Sequence, residues 1–147
     1  MQTRRPRCGG PSGVKPLSQS LPFVLIFVLI ASAALAKPPL REVEEVRDGL
    51  ITAGIAIEID DNCDDISVRL IRGLSYLEGL KRTARDLGYS EAEIDAYVDD
   101  KAEKSRLEGM ARDWLAERGA VAGDESSYCA IGSAEMAIGS QVGRLLR

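Results

Sequence analysis

Leu87-Gly88-Tyr89-Ser90-Glu91-Ala92-Glu93-Ile94 ends one helix and begins the next. Gly88 suits a stop, because a residue without a Cβ takes the left-handed conformation that closes a helix. Ser90 and Glu93 have the spacing of a capping box, in which each side chain satisfies the other residue's backbone N–H. Tyr89 and Ile94 occupy the two positions of a hydrophobic staple across that cap. A stop and a start this close, between long runs with apolar residues at three- and four-residue steps, predict consecutive packed helices.

Upstream of the stop, the pattern predicts a helix over about 65–87, with Ile66, Leu70, Leu74, Leu77, Leu80, Ala84 and Leu87 on one face. Asp64 and Asp65 suit its N-terminus, as cap and as charges facing the helix dipole. Downstream, the helix begun at Ser90 continues through Val98, Leu107, Met110, Ala111, Trp114 and Leu115 to a stop at Arg118-Gly119. Its middle, Asp99 to Arg106, holds Ala102 as its single apolar residue. That stretch reads as a solvated face where the helix bends or breaks.

Two further helices complete the reading. The first spans about 40–60, with Val43, Val46, Leu50, Ala53 and Ile57 in register and Ile51, Ile55 and Ile59 widening the stripe. Gly49 and Gly54 each weaken it by about 1 kcal/mol against Ala, so packing must hold it. Gly54-Ile-Ala-Ile-Glu-Ile59 could alternatively form a strand, but no second strand is available to pair with it. The last helix starts near Asp124, carries Tyr128, Ile131, Met136 and Ile138, and meets an interruption at Gly139-Ser140 before Val142, Leu145 and Leu146. These closing apolar residues are expected to dock on the core. The fold class is therefore all-α, a small bundle of about four helices.

The first 36 residues are of another kind. Arg4, Arg5, Arg7 and Lys15 lie there with no acid, followed by the apolar run Leu21–Ile30 and by Ala31-Ser-Ala-Ala-Leu-Ala36. A basic region, an apolar core and an Ala-x-Ala site in that order are the marks of a cleavable signal peptide, here cut after Ala36. The alternative is an uncleaved anchor. Spanning a bilayer takes about 20 apolar residues, and residues 21–36 are fewer and include Pro22 and Ser32. The basic segment is long, and Val14 would serve as a more compact start. The expected organisation is a signal peptide over 1–36 and a helical domain over 37–147, delivered to the periplasm with no stable membrane insertion.

The formal charge of −4 averages these two parts. Four of the 19 Lys and Arg lie in the leader, which leaves 15 against all 23 Asp and Glu, a net charge of −8 for residues 37–147. Such acidity opposes binding to a phosphate backbone or an anionic lipid surface. The chain has no histidine. That removes Ser-His-Asp and Cys-His nucleophiles and the nitrogen donors of ordinary zinc sites. Acid–base chemistry would have to use Asp, Glu, Lys or Tyr. No catalytic residue, metal or cofactor is assigned.

After cleavage, Cys63 and Cys129 remain. An even count in an exported chain predicts a disulfide. It would close a loop of more than 60 residues, worth about 4 kcal/mol by chain entropy. A redox-active pair would lie closer in sequence, as in Cys-x-x-Cys, and free thiols are the other alternative. The acids around Cys63 (Asp61, Asp64 and Asp65) also disfavour its thiolate.

Asp60, Asn62 and Asp64 match the first ligand positions of a calcium loop. The required Gly and closing Glu are replaced by Asp65 and Ile71, so helix-terminal acids are the simpler account. Arg69, Arg72 and Tyr76 lie a turn apart in succession. They form a possible ligand cluster for a carboxylate or phosphate, or else pair with the plentiful acids nearby.

Lys37-Pro-Pro-Leu-Arg41, Cys63-x-x-Ile-Ser-x-Arg69, Leu87-Gly-Tyr-Ser90, Tyr128-Cys129 and Gly139-Ser-Gln-Val-Gly-Arg-Leu-Leu146 together resemble an uncharacterised family of small exported proteins from Rhodobacter-like alphaproteobacteria, a domain of unknown function. The resemblance spans the mature chain and implies a periplasmic helical domain without known catalytic residues. Some relatives carry the label of an NADH dehydrogenase component, the iron–sulfur one. That component needs four cysteine ligands for its cluster, and two cysteines remain here. The resulting expectation is a non-enzymatic binding or interaction module with a protein partner. The alternative is an accessory factor of an envelope or respiratory (NADH dehydrogenase) complex.

Overall fold

The computed structural model describes residues 37–147; the signal-peptide assignment lies outside them. Helices account for the fold, and the four expected segments appear as a short 3-10 turn, Leu40–Glu42, and six α-helices.

The first segment is that turn followed by α1, Glu44–Asn62, so the strand alternative for 54–59 does not occur. Its two glycines have a packing reason. A Cβ on Gly49 would collide with the Leu80 side chain, and one on Gly54 would press on the Ala111 Cβ at 3.3 Å. Missing side chains at these two points let neighbouring helices close on α1, which offsets the helix propensity they cost. Ile55, Ala56 and Ile59 face the main core, where Ile59 has no exposed surface at all.

The second segment begins later than its apolar pattern predicts. α2 spans Leu70–Asp86, and Arg69 precedes it without any side-chain cap. Asp64 and Asp65 are therefore not its cap. Residues 67–69 are instead paired with the segment 145–147: the Ser67 amide donates to Arg147 O at 3.0 Å, the Arg147 amide returns to Ser67 O at 2.9 Å, and the Arg69 amide donates to Leu145 O at 2.7 Å. Val68 and Leu146 form an isolated antiparallel bridge. The Arg69 amide and the Ser67 carbonyl, which a helix starting at Asp65 would pair with Asp65 and Ile71, are thus engaged with another segment.

The capping box holds in full. The Glu93 amide donates to Ser90 Oγ, and the Ser90 amide donates to Glu93 Oε2 at 2.8 Å. Tyr89 and Ile94 are both buried, in a second apolar cluster with Leu40, Val46 and Ala84. The helix that follows, α3, Glu91–Val98, is short, and α4 runs Lys101–Glu117. The expected break thus falls at Asp99-Asp100. There the Asp100 carboxylate caps α4 by accepting from the Ala102 and Glu103 amides. The charged stretch is not wholly solvated, however. Glu103 is only 8% exposed, because Arg106 one turn on donates to its carboxylate at 2.6 Å.

The last segment is interrupted where expected. α5, Glu125–Ile138, is capped by Asp124 and ends at Gly139, whose φ of 64° is left-handed. Ser140 then caps α6, Gln141–Leu145. Val142, Leu145 and Leu146 dock in the main core beside Ile131 and Tyr128. Cys63, just after α1, and Cys129 on α5 sit at disulfide distance, with an S–S separation of 2.02 Å.

α1 is the hub. α2, α4, α5, α6 and the 3-10 turn all pack against it, while α2 and α4 have at most marginal contact with each other.

Candidate functional site

α2 and α4 share α1 as a floor with little contact between themselves, which leaves a groove. α1 supplies the floor through Leu50, Ala53, Gly54 and Ile57. One wall is α2, through Leu70, Leu74 and Leu77; the rest of the lining is Val98 at the end of α3 and Leu107 on α4 near Leu77, and Val68 and Leu145 near Leu70 and Leu74. The groove divides into an inner recess of about 150 Å³ beneath Leu80 and Ile94, a middle section of about 280 Å³ and an outer section of about 240 Å³ that reaches Val68 and Leu145.

These walls are apolar and uncovered. Leu70 is 68% exposed, Leu74 56%, Ile57 50% and Val98 48%. Scattered surface leucines need no explanation, but a contiguous apolar strip in a concave setting marks an interaction site. Periodicity places Leu70 and Leu74 on the face of Leu80 and Ala84, and they do share it. Only the last two are buried.

Charges around the groove are few. Lys81 pairs with Asp95 at 3.3 Å, and Lys104 with Glu108 at 3.9 Å. Asp60 is the sole charged residue lining the outer section, and it forms no ion pair among the described residues.

A second concavity, about 520 Å³, lies between Lys37, Arg41, Tyr97 and Arg106. Each of its carboxylates is engaged. Glu93 serves the capping box and accepts from Lys37 at 2.9 Å, Asp100 caps α4, and Glu103 holds Arg106. Glu93 is pulled down to about 2, first by the Ser90 amide and then by the Lys37 ammonium. The Tyr97 hydroxyl is buried without a hydrogen-bond partner. Burial pushes it above its ordinary value, and the Glu103 charge adds to the shift. The Lys37–Glu93 pair fixes the N-terminal segment to the start of α3. Lys37 also stacks on the Tyr89 ring, and the Tyr89 hydroxyl donates to Pro38 O.

Arg69, Arg72 and Tyr76 do not converge on a common point. Arg69 Nε donates to Leu146 O at 2.7 Å and Arg72 to Arg144 O at 3.1 Å, so both grip main-chain carbonyls rather than acids. Tyr76 turns towards Thr52 on α1, and burial raises its hydroxyl above the ordinary value. Near the cysteines, Glu125 brings a third ligand-type atom within 4.8 Å of both sulfurs. The sulfurs are bonded to each other, and Glu125 accepts from the Asp64 amide at 3.0 Å.

The groove escapes sequence reading because periodicity reports which side chains share a face, not whether anything covers it. The one signal in the sequence is that Ile71 adds to Leu70, Leu74 and Leu77 and widens the apolar stripe at the start of that helix.

No curated protein and no solved structure shows significant similarity to the chain. A family model does match, over residues 38–147, and it describes a family of unknown function. That span is nearly the whole of the described domain, and the chain belongs to this family, DUF5333.

Proposed function

We propose that the chain is exported through residues 1–36, cut after Ala36, and works in the periplasm as a non-enzymatic binding module whose groove between α2 and α4 receives a partner. The observation that carries this reading is the strip of Ile57, Leu70, Leu74 and Val98, left open to water in a concave setting. Leaving such surface uncovered costs roughly 25 cal/mol per Å², a cost recovered when something fills the groove. One feature supports export. The cysteine pair is bonded, as an oxidising compartment allows. The lack of histidine and the engagement of the carboxylates around the second concavity support a role without catalysis.

A photo-crosslinking residue at Leu74, compared with one at the exposed Ala134 of α5, tests the reading in cells. A discrete adduct from Leu74 alone, on a periplasmic protein whose mass begins at Lys37, is the expected result. Equal labelling from both positions, or turnover by the purified domain that is lost on mutating one Asp or Glu, overturns it. The open groove equally serves an accessory factor of an envelope or respiratory complex. That reading is selected if the adduct co-purifies stoichiometrically with a membrane complex.

A further inference from the structure

We infer that the occupant of the groove is an amphipathic helix of a partner protein, lying antiparallel to α1 with a basic residue or its own N-terminus at Asp60. This rests on the reading of the groove as the binding site.

Length, area and charge each narrow the choice. From Leu50 to Asp60 is ten residues of α1, about 15 Å, which matches three turns of a docked helix. Apolar anchors at i, i+3 or i+4, and i+7 would meet the inner, middle and outer sections in turn. The four exposed aliphatic residues offer on the order of 300 Å². A standard interface buries about 800 Å² on each side. The strip is too small to hold a second copy of this chain by itself and is sized for one helix.

Charge separates a helix from an acyl chain. The outer section ends at Asp60, the lining charge with no ion pair among the described residues. Asp61 follows it, and the last turn of α1 has no basic residue to offset the negative end of the helix dipole. A fatty-acid carboxylate or a phosphate headgroup placed there would be repelled. A Lys or Arg, or the positive end of an antiparallel helix, would be held. The groove is also open along its middle and outer sections. An acyl chain lying there would keep one side in water, whereas an amphipathic helix presents a polar face to it.

The test uses the mature protein and four probes: a fluorescent 14-residue helical peptide with Leu at i, i+4 and i+7 and two Lys at its N-terminus, the same peptide with Glu for Lys, the Lys peptide with a central Pro, and laurate as competitor. Binding is followed by anisotropy at two salt concentrations. The expected result is that the Lys peptide binds at least tenfold tighter than the other two peptides. Leu74→Glu should then cost about tenfold or more. Asp60→Asn should cost severalfold and flatten the salt dependence.

Laurate binding that Leu74→Glu abolishes, with no peptide binding, overturns the helix and keeps the groove. Self-association that Leu74→Glu abolishes replaces the helix with a second copy. No binding of any probe, with no self-association, overturns both the helix and the groove. Circular dichroism of both variants guards against misfolding, and Leu70→Ser supplies a second groove variant at a more exposed position.

Discussion

Arg69 holds Leu146 from the far side of the chain: its Nε donates to that residue's carbonyl at 2.7 Å across 77 residues. Together with the backbone pairing of Ser67 and Arg147, this bond fastens the end of the described domain to the start of α2. A charged donor on a part-buried carbonyl contributes about 1.5 kcal/mol. Arg69→Ala should therefore lower the unfolding free energy by that much, read as a lower urea midpoint at unchanged m-value. Arg72→Ala should cost less than half as much, since its bond to Arg144 is longer and exposed. Equal effects would show that neither arginine acts through these carbonyls.

Cys63 and Cys129 restrain the unfolded chain over a separation of 66 residues. Chain entropy puts that restraint at about 4 kcal/mol. Denaturation with and without a thiol reductant measures it directly. The double variant Cys63→Ala, Cys129→Ala should match the reduced protein to within the cost of the lost sulfur packing. A midpoint indifferent to reductant would exclude a role for the bond in stability.

Gly143 and Gly109 make a matched pair. A Cβ on Gly143 would intrude on the Glu135 carbonyl, a backbone atom that cannot turn aside, whereas one on Gly109 meets nothing within 4 Å. Gly143→Ala should destabilise by about 3 kcal/mol and free α6. Gly109→Ala should stabilise by up to about 1 kcal/mol, because it lies in the interior of α4. Thermal melts of the two variants shifting in the same direction would contradict the packing described between α5 and α6.

The capping box makes stability depend on acid. Glu93 titrates near 2 in the folded chain, held below the ordinary carboxylate value of 4.5 first by the Ser90 amide and then by Lys37. A lowered folded value means that the ionised form stabilises the fold. The contribution is complete above about pH 4.5 and disappears as the pH falls towards 2. Glu93→Gln should therefore flatten the acid limb of the stability curve in that window. Ser90→Ala should cost about 1 kcal/mol at neutral pH through the lost cap. Carbon-detected titration of the Glu93 carboxyl checks the value itself.

What could be read from the sequence was local. Ser90 and Glu93 act on each other three residues apart, and the helix start they imply is where α3 begins. Gly139-Ser140 likewise interrupts the last helix by its own conformation. The start of α2 was hidden because its cause lies far away: Leu145 and Arg147 take the donors and acceptors that a helix at Asp65 would have used. Glu103 looked solvated in a charged run, yet Arg106 neutralises it and lets it sink. The groove was hidden for a related reason. Leu70, Leu74 and Leu77 advertise a buried face, and whether another element covers it is decided by tertiary packing that periodicity does not report.

Both apolar clusters draw on α1, one through Val46 and the other through Ile55, Ala56 and Ile59. Neither can melt while the other keeps that helix in place. The domain should thus lose its heat-labile order in one cooperative step, with calorimetric and van't Hoff enthalpies in agreement. Amide protons near Ile59 should exchange with solvent only through global opening.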